Sequence, residues 1–213
     1  FKPGPPNLFR IVSGNVTALQ PHIKGKQSAL KRWIEELKPS ALALQEVRLS
    51  AEAQLFCADR LPFLGLNTVF GAPLPYQTWL GNSTKSMWND IAGGTLVGAP
   101  APTPIHSLPR DMEQDELYEF GRWTRAAIPI GAGHRAFHIT SLYGPPRGDL
   151  IGNNYADNLL KLMFECSRDP GSQMPAAICC DLNLNPDDCA YLKVAMARTG
   201  WTDVGQVGLW GTR

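Results

Sequence analysis

Three short strand candidates in this chain each stop at side chains that seek water. Leu8–Val12 runs into the turn-like Ser13-Gly14-Asn15, Ala41–Leu44 into Gln45-Glu46, and Ala176–Cys180 into Asp181-Leu182-Asn183. An apolar run of about four to eight residues fits a strand buried on both faces. A polar stop at its carboxyl end marks where such a strand opens to solvent. Ligand sites of α/β folds collect where the carboxyl ends of strands emerge. A lone carboxylate there is ordinarily just solvated. Two carboxylates, Glu46 and Asp181, and two asparagines, Asn15 and Asn183, set behind three such strands, are harder to dismiss.

Helix patterns surround these strands. Ser28–Lys38 spaces Leu30, Trp33, Ile34 and Leu37 along one face, with Lys31, Arg32, Glu35 and Glu36 opposite, and Pro39 ends it. Ser50 is an N-cap candidate for a helix over Ala51–Arg60. Asn153–Arg168 reads as a helix, and so does Pro186–Thr199, with Pro at its start and Gly200 just past its end. Leu66–Phe70, Gly93–Val97, Arg122–Ile130 and Ala136–Leu142 read as further strands. The Pro/Gly clusters Lys2–Pro6, Gly71–Pro75 and Gly98–Pro104 read as loops or strand boundaries. Strand–helix alternation at both ends surrounds a strand-rich middle, which predicts an α/β fold with helices covering sheet faces. The 213 residues show no repeat and no long linker, so one domain over 1–213 is expected.

Composition narrows the function classes. Lys+Arg 20 against Asp+Glu 19 leaves a net charge of +1, which argues against a polybasic nucleic-acid binder but allows a local basic groove. No apolar run approaches the ~18 residues of a membrane span. Phe1 in place of Met predicts an excised or processed segment. The five Cys match no zinc spacing, so small buried thiols in a reducing compartment are expected, and an intracellular location with them. Asp111, Glu113, Asp115, Glu116 and Glu119 read as a solvated acidic stretch before they read as a metal trap. Trp79 and Trp88 could stack on bases or pack a long loop onto the sheet.

The strand-end residues have a shared chemistry. Glu46 and Asp181 are hard oxygen donors suited to Mg²⁺. Asn15 and Asn183 can donate hydrogen bonds to phosphate oxygens without adding negative charge. Together they fit a metal-assisted phosphate site. Arg48 and Arg147 lie beside these motifs and are candidate phosphate contacts; a purely solvated role fits them equally. Lys24, Lys26, Lys31 and Arg32 fit a solvated helix face as well as a phosphate path.

Five motifs in order carry a resemblance: Ser-Gly-Asn-Val (13–16), Leu-Gln-Glu-Val-Arg (44–48), Gly-Gly-Thr-Leu (93–96), Ser-Leu-Tyr-Gly-Pro-Pro (141–146) and Asp-Leu-Asn (181–183). This series resembles the endonuclease/exonuclease/phosphatase superfamily, which includes DNase I, apurinic endonucleases, inositol polyphosphate phosphatases and non-LTR retrotransposon endonuclease domains. Tyr-Gly-Pro-Pro and Gly-Trp-Thr-Asp (200–203) are most similar to the retrotransposon branch. The resemblance implies an α/β two-sheet sandwich flanked by helices. It implies that Glu46 binds Mg²⁺ or Mn²⁺ with support from Gln45, and that Asn15 helps hold the phosphate and the attacking water. Tyr143 would hydrogen-bond the phosphate, Asp181 would orient or deprotonate the water, and Asn183 would stabilise developing charge. DNA would then be the partner, and the nucleus the location of a retrotransposon enzyme.

The sequence also departs from that pattern. The Ser-Asp-His segment that closes the family's site, and an upstream Asp segment, are not visible. His22, His106, His134 and His138 all precede Asp181. A C-terminally incomplete sandwich with an open sheet edge is therefore expected. It would belong to a fragment of a longer nuclease, or to an inactive copy whose edge is covered by a protein partner. Cys180 stands where the family usually has Gly, and Gly144 where it usually has Ala; Cys180 is expected to pack.

Overall fold

The computed structural model describes residues 8–19, 24–73, 93–110, 114, 118, 121–131, 135–144, 158, 160–165, 174–183, 189–198 and 201–204. The chain separates into two compact units, Phe1–Tyr143 with Ser172–Asp181, and Gly144–Gly171 with Leu182–Arg213.

The first unit holds two four-stranded sheets. One contains β1 (Ile11–Asn15), β2 (Ala41–Gln45), β3 (Leu66–Phe70) and β4 (Thr95–Pro100), in the order β1-β2-β4-β3. The other contains β5 (His106–Ser107), β6 (Trp123–Pro129), β7 (Ala136–Tyr143) and β8 (Ala176–Asp181), in the order β5-β6-β7-β8. β1 pairs parallel with β2, and β7 parallel with β8; β2–β4, β3–β4, β5–β6 and β6–β7 are antiparallel.

Period-two alternation divides the side chains between two cores. Leu42, Leu44, Leu66 and Leu96 form one with Leu30, Trp33 and Ile34 of α1 (Lys24–Leu37) and Ala53 and Cys57 of α2 (Ala51–Arg60). Ala41, Ala43, Val97 and Ala99 turn the other way, onto Ala126, Ile128 and Ile139 of the second sheet. Alanines on this inner face let the sheets approach, and Phe9 stacks on Phe137 with ring centroids 4.7 Å apart.

The helices end as their sequences dictate. Ser50 caps α2, its hydroxyl accepting from the Ala53 N–H at 3.2 Å. α1 closes at Lys38, which takes a left-handed φ of 44° before buried Pro39, and the Arg10 guanidinium donates to the Leu37 carbonyl at 3.1 Å. Lys31–Glu35 and Arg32–Glu36 are exposed pairs one turn apart, worth only a few tenths of a kcal/mol each (~0.3–0.5).

Some boundaries differ from the sequence reading. Ser13-Gly14-Asn15 continues β1 instead of turning, because each residue from Ile11 to Asn15 finds a partner from Ala41 to Gln45. β4 runs through Gly98 to Pro100, past the expected strand end at Val97 and into a cluster read as a loop or strand boundary, because β3 pairs along it as far as Leu66↔Pro100. β5 has only two residues and gives no periodic signal.

In the second unit, residues 160–165 are helical and lie inside the expected Asn153–Arg168 helix. Leu160, Leu162, Met163 and Phe164 are buried, and the Phe164 ring meets Trp201 edge-on at 5.1 Å. α3 (Ala190–Arg198) lies within the expected Pro186–Thr199 helix, whose first residues fall outside the described ones. Among the described residues, no helix is long and apolar enough to cross a membrane.

Candidate active site

The loops after β1 and β2 and before β4 are laced together by backbone hydrogen bonds. Ala18 and Leu19 donate to the carbonyls of Glu46 (2.8 Å) and Val47 (2.9 Å). Val47 and Arg48 donate in turn to Gly94 (3.1 Å) and Gly93 (3.0 Å). The Gly-Gly pair has a steric reason: Gly94 sits at φ 82°, where a Cβ would lie 3.0 Å from Val47 Cγ2 and 3.2 Å from the Arg48 nitrogen. Thr17, Ala18, Glu46 and Arg48 also hold positive φ, at 44°, 79°, 57° and 50°. Left-handed backbone at non-glycine residues is uncommon and gathers at functional sites, where surrounding bonds hold it in place.

Beneath these loops the inner face of the sandwich turns polar. Gln45 pairs with Thr95 across β2–β4, and Thr124 with Ser141 across β6–β7. The two pairs meet between the sheets. Gln45 Nε2 donates to Ser141 Oγ at 3.0 Å and to the Cys179 carbonyl at 3.3 Å, and the Thr95 and Thr124 hydroxyls lie 2.6 Å apart. Ser141 Oγ donates to the Leu44 carbonyl at 2.9 Å. All four residues are buried. Of these four, the sequence pointed to a role for Gln45 alone; Thr95 and Ser141 stand in two of the five motifs without a role of their own, and Thr124 lies within the Arg122–Ile130 strand.

Above this layer, the ends of β1 and β8 join. Asn15 Nδ2 donates to Asp181 Oδ2 at 2.9 Å, across 166 residues of sequence. The Asn15 Oδ1 accepts from the Thr17 N–H at 2.9 Å, an Asx-type turn that fixes which way the amide faces. Tyr143 is paired in register with Asp181. Its N–H donates to the Arg122 carbonyl at 2.7 Å, and the Arg122 guanidinium lies over its ring, 5.1 Å from the centroid. The structure thus brings Asn15, Gln45, Tyr143 and Asp181 to the carboxyl ends of β1, β2, β7 and β8.

Glu46 follows directly on β2 and is 8% exposed. Its Oε1 is paired with Arg48 Nη2. Arg48 is also partly buried, and its Nε has no hydrogen-bond partner among the described residues. Arg147, Trp79 and Trp88 lie outside the described residues. Asn183 belongs to the second unit, at φ 53°, and its Nδ2 donates to the Gly144 carbonyl at 3.0 Å. Gly144 is pressed against the Leu182 carbonyl so closely that a Cβ could not fit.

The sequence left Lys26 open between a solvated helix face and a phosphate path; its Nζ donates to the Val16 and Thr17 carbonyls at 2.5 and 3.1 Å, bracing the turn after Asn15. One expectation needs correction. The cysteines are not all buried. Cys57 and Cys189 are, but Cys180 is exposed, because strand alternation sends Cys179 into the inner core and Cys180 to the opposite face. Burial pushes the Cys57 and Cys179 thiols up to about 11.

Solved structures share this architecture. The chain is similar to an AP endonuclease from Archaeoglobus fulgidus, with TM-score 0.57 and 18% identity over 89% of this chain and 69% of that one. The human Nocturnin catalytic domain with bound sulfate gives 0.55 and 17%, over 88% and 69%. The 3′ phosphatase NExo from Neisseria, bound to product DNA hairpin, gives 0.55 and 15%, over 84% and 59%. All three belong to the endonuclease/exonuclease/phosphatase superfamily. The fold is DNase I-like. The DNase I-like chain spans about three fifths to two thirds of the length of these neighbours. No family model matches its sequence, and no curated protein does.

The DNase I-like fold brings the question of a divalent cation. Among the described residues, no three His, Cys, Asp or Glu side chains gather as a metal cage. Glu46 nevertheless offers what Mg²⁺ needs. Mg²⁺ is commonly held by one or two carboxylates, with water and substrate phosphate completing its shell. A buried carboxylate whose counter-charge comes from another side chain fits such a site.

Proposed function

We propose that the chain is the catalytic domain of a divalent-cation-dependent phosphodiesterase that cuts nucleic acid. The observation that carries this reading is the Asn15–Asp181 hydrogen bond, which aims a carboxylate at the carboxyl ends of β1 and β8. A divalent cation at Glu46 would supply Lewis-acid polarisation of a phosphoryl oxygen. Asp181 takes the proton of the attacking water, with Asn15 holding its orientation through Oδ2. Tyr143 donates its phenolic proton to a phosphate oxygen, and the Asn183 amide donates to oxygens gaining charge in the transition state. Arg48 and Arg147 contact flanking phosphates. The Tyr-Gly-Pro-Pro and Gly-Trp-Thr-Asp segments support a retrotransposon origin.

The test is nicking of supercoiled plasmid by the purified protein with and without Mg²⁺. Mg²⁺-dependent nicking that Glu46→Ala abolishes is expected. Nicking that survives Glu46→Ala would overturn the assignment of Glu46. A folded wild type that cuts nothing would instead favour the non-catalytic reading, with a protein partner along β8, which among the described strands pairs on one side only.

A further inference from the structure

The reaction described above does not require the Glu46–Arg48 pair. We infer that Arg48 is a displaceable counter-ion: its guanidinium holds the Glu46 carboxylate until a divalent cation replaces it, and is thereby released to a substrate phosphate. The inference rests on reading Glu46 as the cation ligand. Four observations lead to it.

Glu46 is 8% exposed, and a carboxylate so far withdrawn from water needs a positive partner at all times. Arg48 supplies that charge in this structure. A cation bound to the same Oε1 would meet the guanidinium head-on, so the two compete for one carboxylate. The backbone of the pair cannot yield, since residues 46–48 are pinned by hydrogen bonds to the loops after β1 and before β4. The exchange is therefore confined to the Arg48 side chain. That side chain still has a donor to place, because its buried Nε has no acceptor among the described residues. Turning towards a phosphate would satisfy that N–H as well as the charge.

Competition of this kind links the two ligands. Cation binding frees Arg48 for phosphate, and phosphate draws Arg48 off Glu46, so each strengthens the other by the same factor. A bare site thus holds cation weakly, and the pair assembles together.

The test measures cation binding directly, by calorimetric titration of Mn²⁺ into the folded protein without substrate. Arg48→Met removes the competing charge and keeps the side-chain length. It should bind Mn²⁺ at least about fivefold more tightly than wild type, within the usual range of coupling between sites. Arg48→Lys should bind more weakly than Arg48→Met. Equal or weaker binding by Arg48→Met would overturn the inference. Glu46→Gln should abolish the binding in either background; if it does not, Glu46 is not the ligand and the functional reading fails by itself. Should Arg48→Met not fold, the Arg48 Nε–Hε resonance of the wild type decides. Movement on saturation with Mg²⁺ supports displacement, and an unmoved resonance in a protein that has bound Mg²⁺ rules it out.

Discussion

Gly144 shows how one hydrogen in place of a methyl group sets local geometry. A Cβ there would collide with the Leu182 carbonyl, and the Asn183 amide reaches the Gly144 carbonyl only because the two segments lie so close. Gly144→Ala, the residue the resemblance leads one to expect, should cost about 1–3 kcal/mol and lower the Tm accordingly. An unchanged Tm would mean the segments separate freely. Asp181→Asn separates charge from shape. The Asn15 amide can still donate to a side-chain oxygen, so the Tm should hold while plasmid nicking falls about 10²- to 10⁴-fold, the usual worth of a general base. Cys180 is exposed where Cys57 and Cys189 are buried. Iodoacetamide should therefore label Cys180 before Cys57 and Cys189, as read by peptide mass.

The elements are joined by contacts that can be tested one at a time. Gln45 ties β2 to β7 and β8 through the Ser141 hydroxyl and the Cys179 carbonyl. Gln45→Leu keeps the volume and removes the donors, leaving buried acceptors without them. A loss of about 1–3 kcal/mol is expected in urea unfolding, and activity should fall with it as the strand ends loosen. α2 docks through Cys57, and β8 through Cys179. Burial pushes both thiols up to about 11 from 9.0, so the folded protein holds these protons more tightly than the unfolded chain does. The resulting stability is complete below about pH 9 and is lost as pH rises through about 11. The urea midpoint should drop across that window, and less steeply in Cys57→Ala.

For the whole molecule, a net charge of +1 provides little long-range attraction for nucleic acid. Binding would depend on a few local contacts. If Arg48 and Arg147 are the two phosphate contacts, the logarithm of duplex affinity should fall with the logarithm of salt at a slope of about −2. Arg48→Ala should reduce that slope by about one, uniformly across DNA sequences. A much steeper wild-type slope would mean that a larger basic surface exists.

The sequence by itself located most of the strands and the polar residues at their ends. Ala41–Leu44 can satisfy so much apolar surface only between covering layers, and β2 is buried throughout. Ala176–Cys180, expected to be buried alike, is only partly so, with Cys180 exposed, because β8 pairs on one side only among the described strands. Period and polarity are local properties, so they can be read from neighbours in the chain. What the tertiary structure decided is everything that depends on distant residues meeting. Ser13-Gly14-Asn15 looked like a turn until β2 supplied hydrogen-bond partners for it. Thr95, Thr124 and Ser141 carried no role in the sequence until two sheets brought them into one polar layer with Gln45. Asn15 and Asp181 lie 166 residues apart and gain their shared role from one hydrogen bond. Arg48 was legible as a charge beside a carboxylate, but only the folded loop, held at positive φ, puts its guanidinium on Glu46.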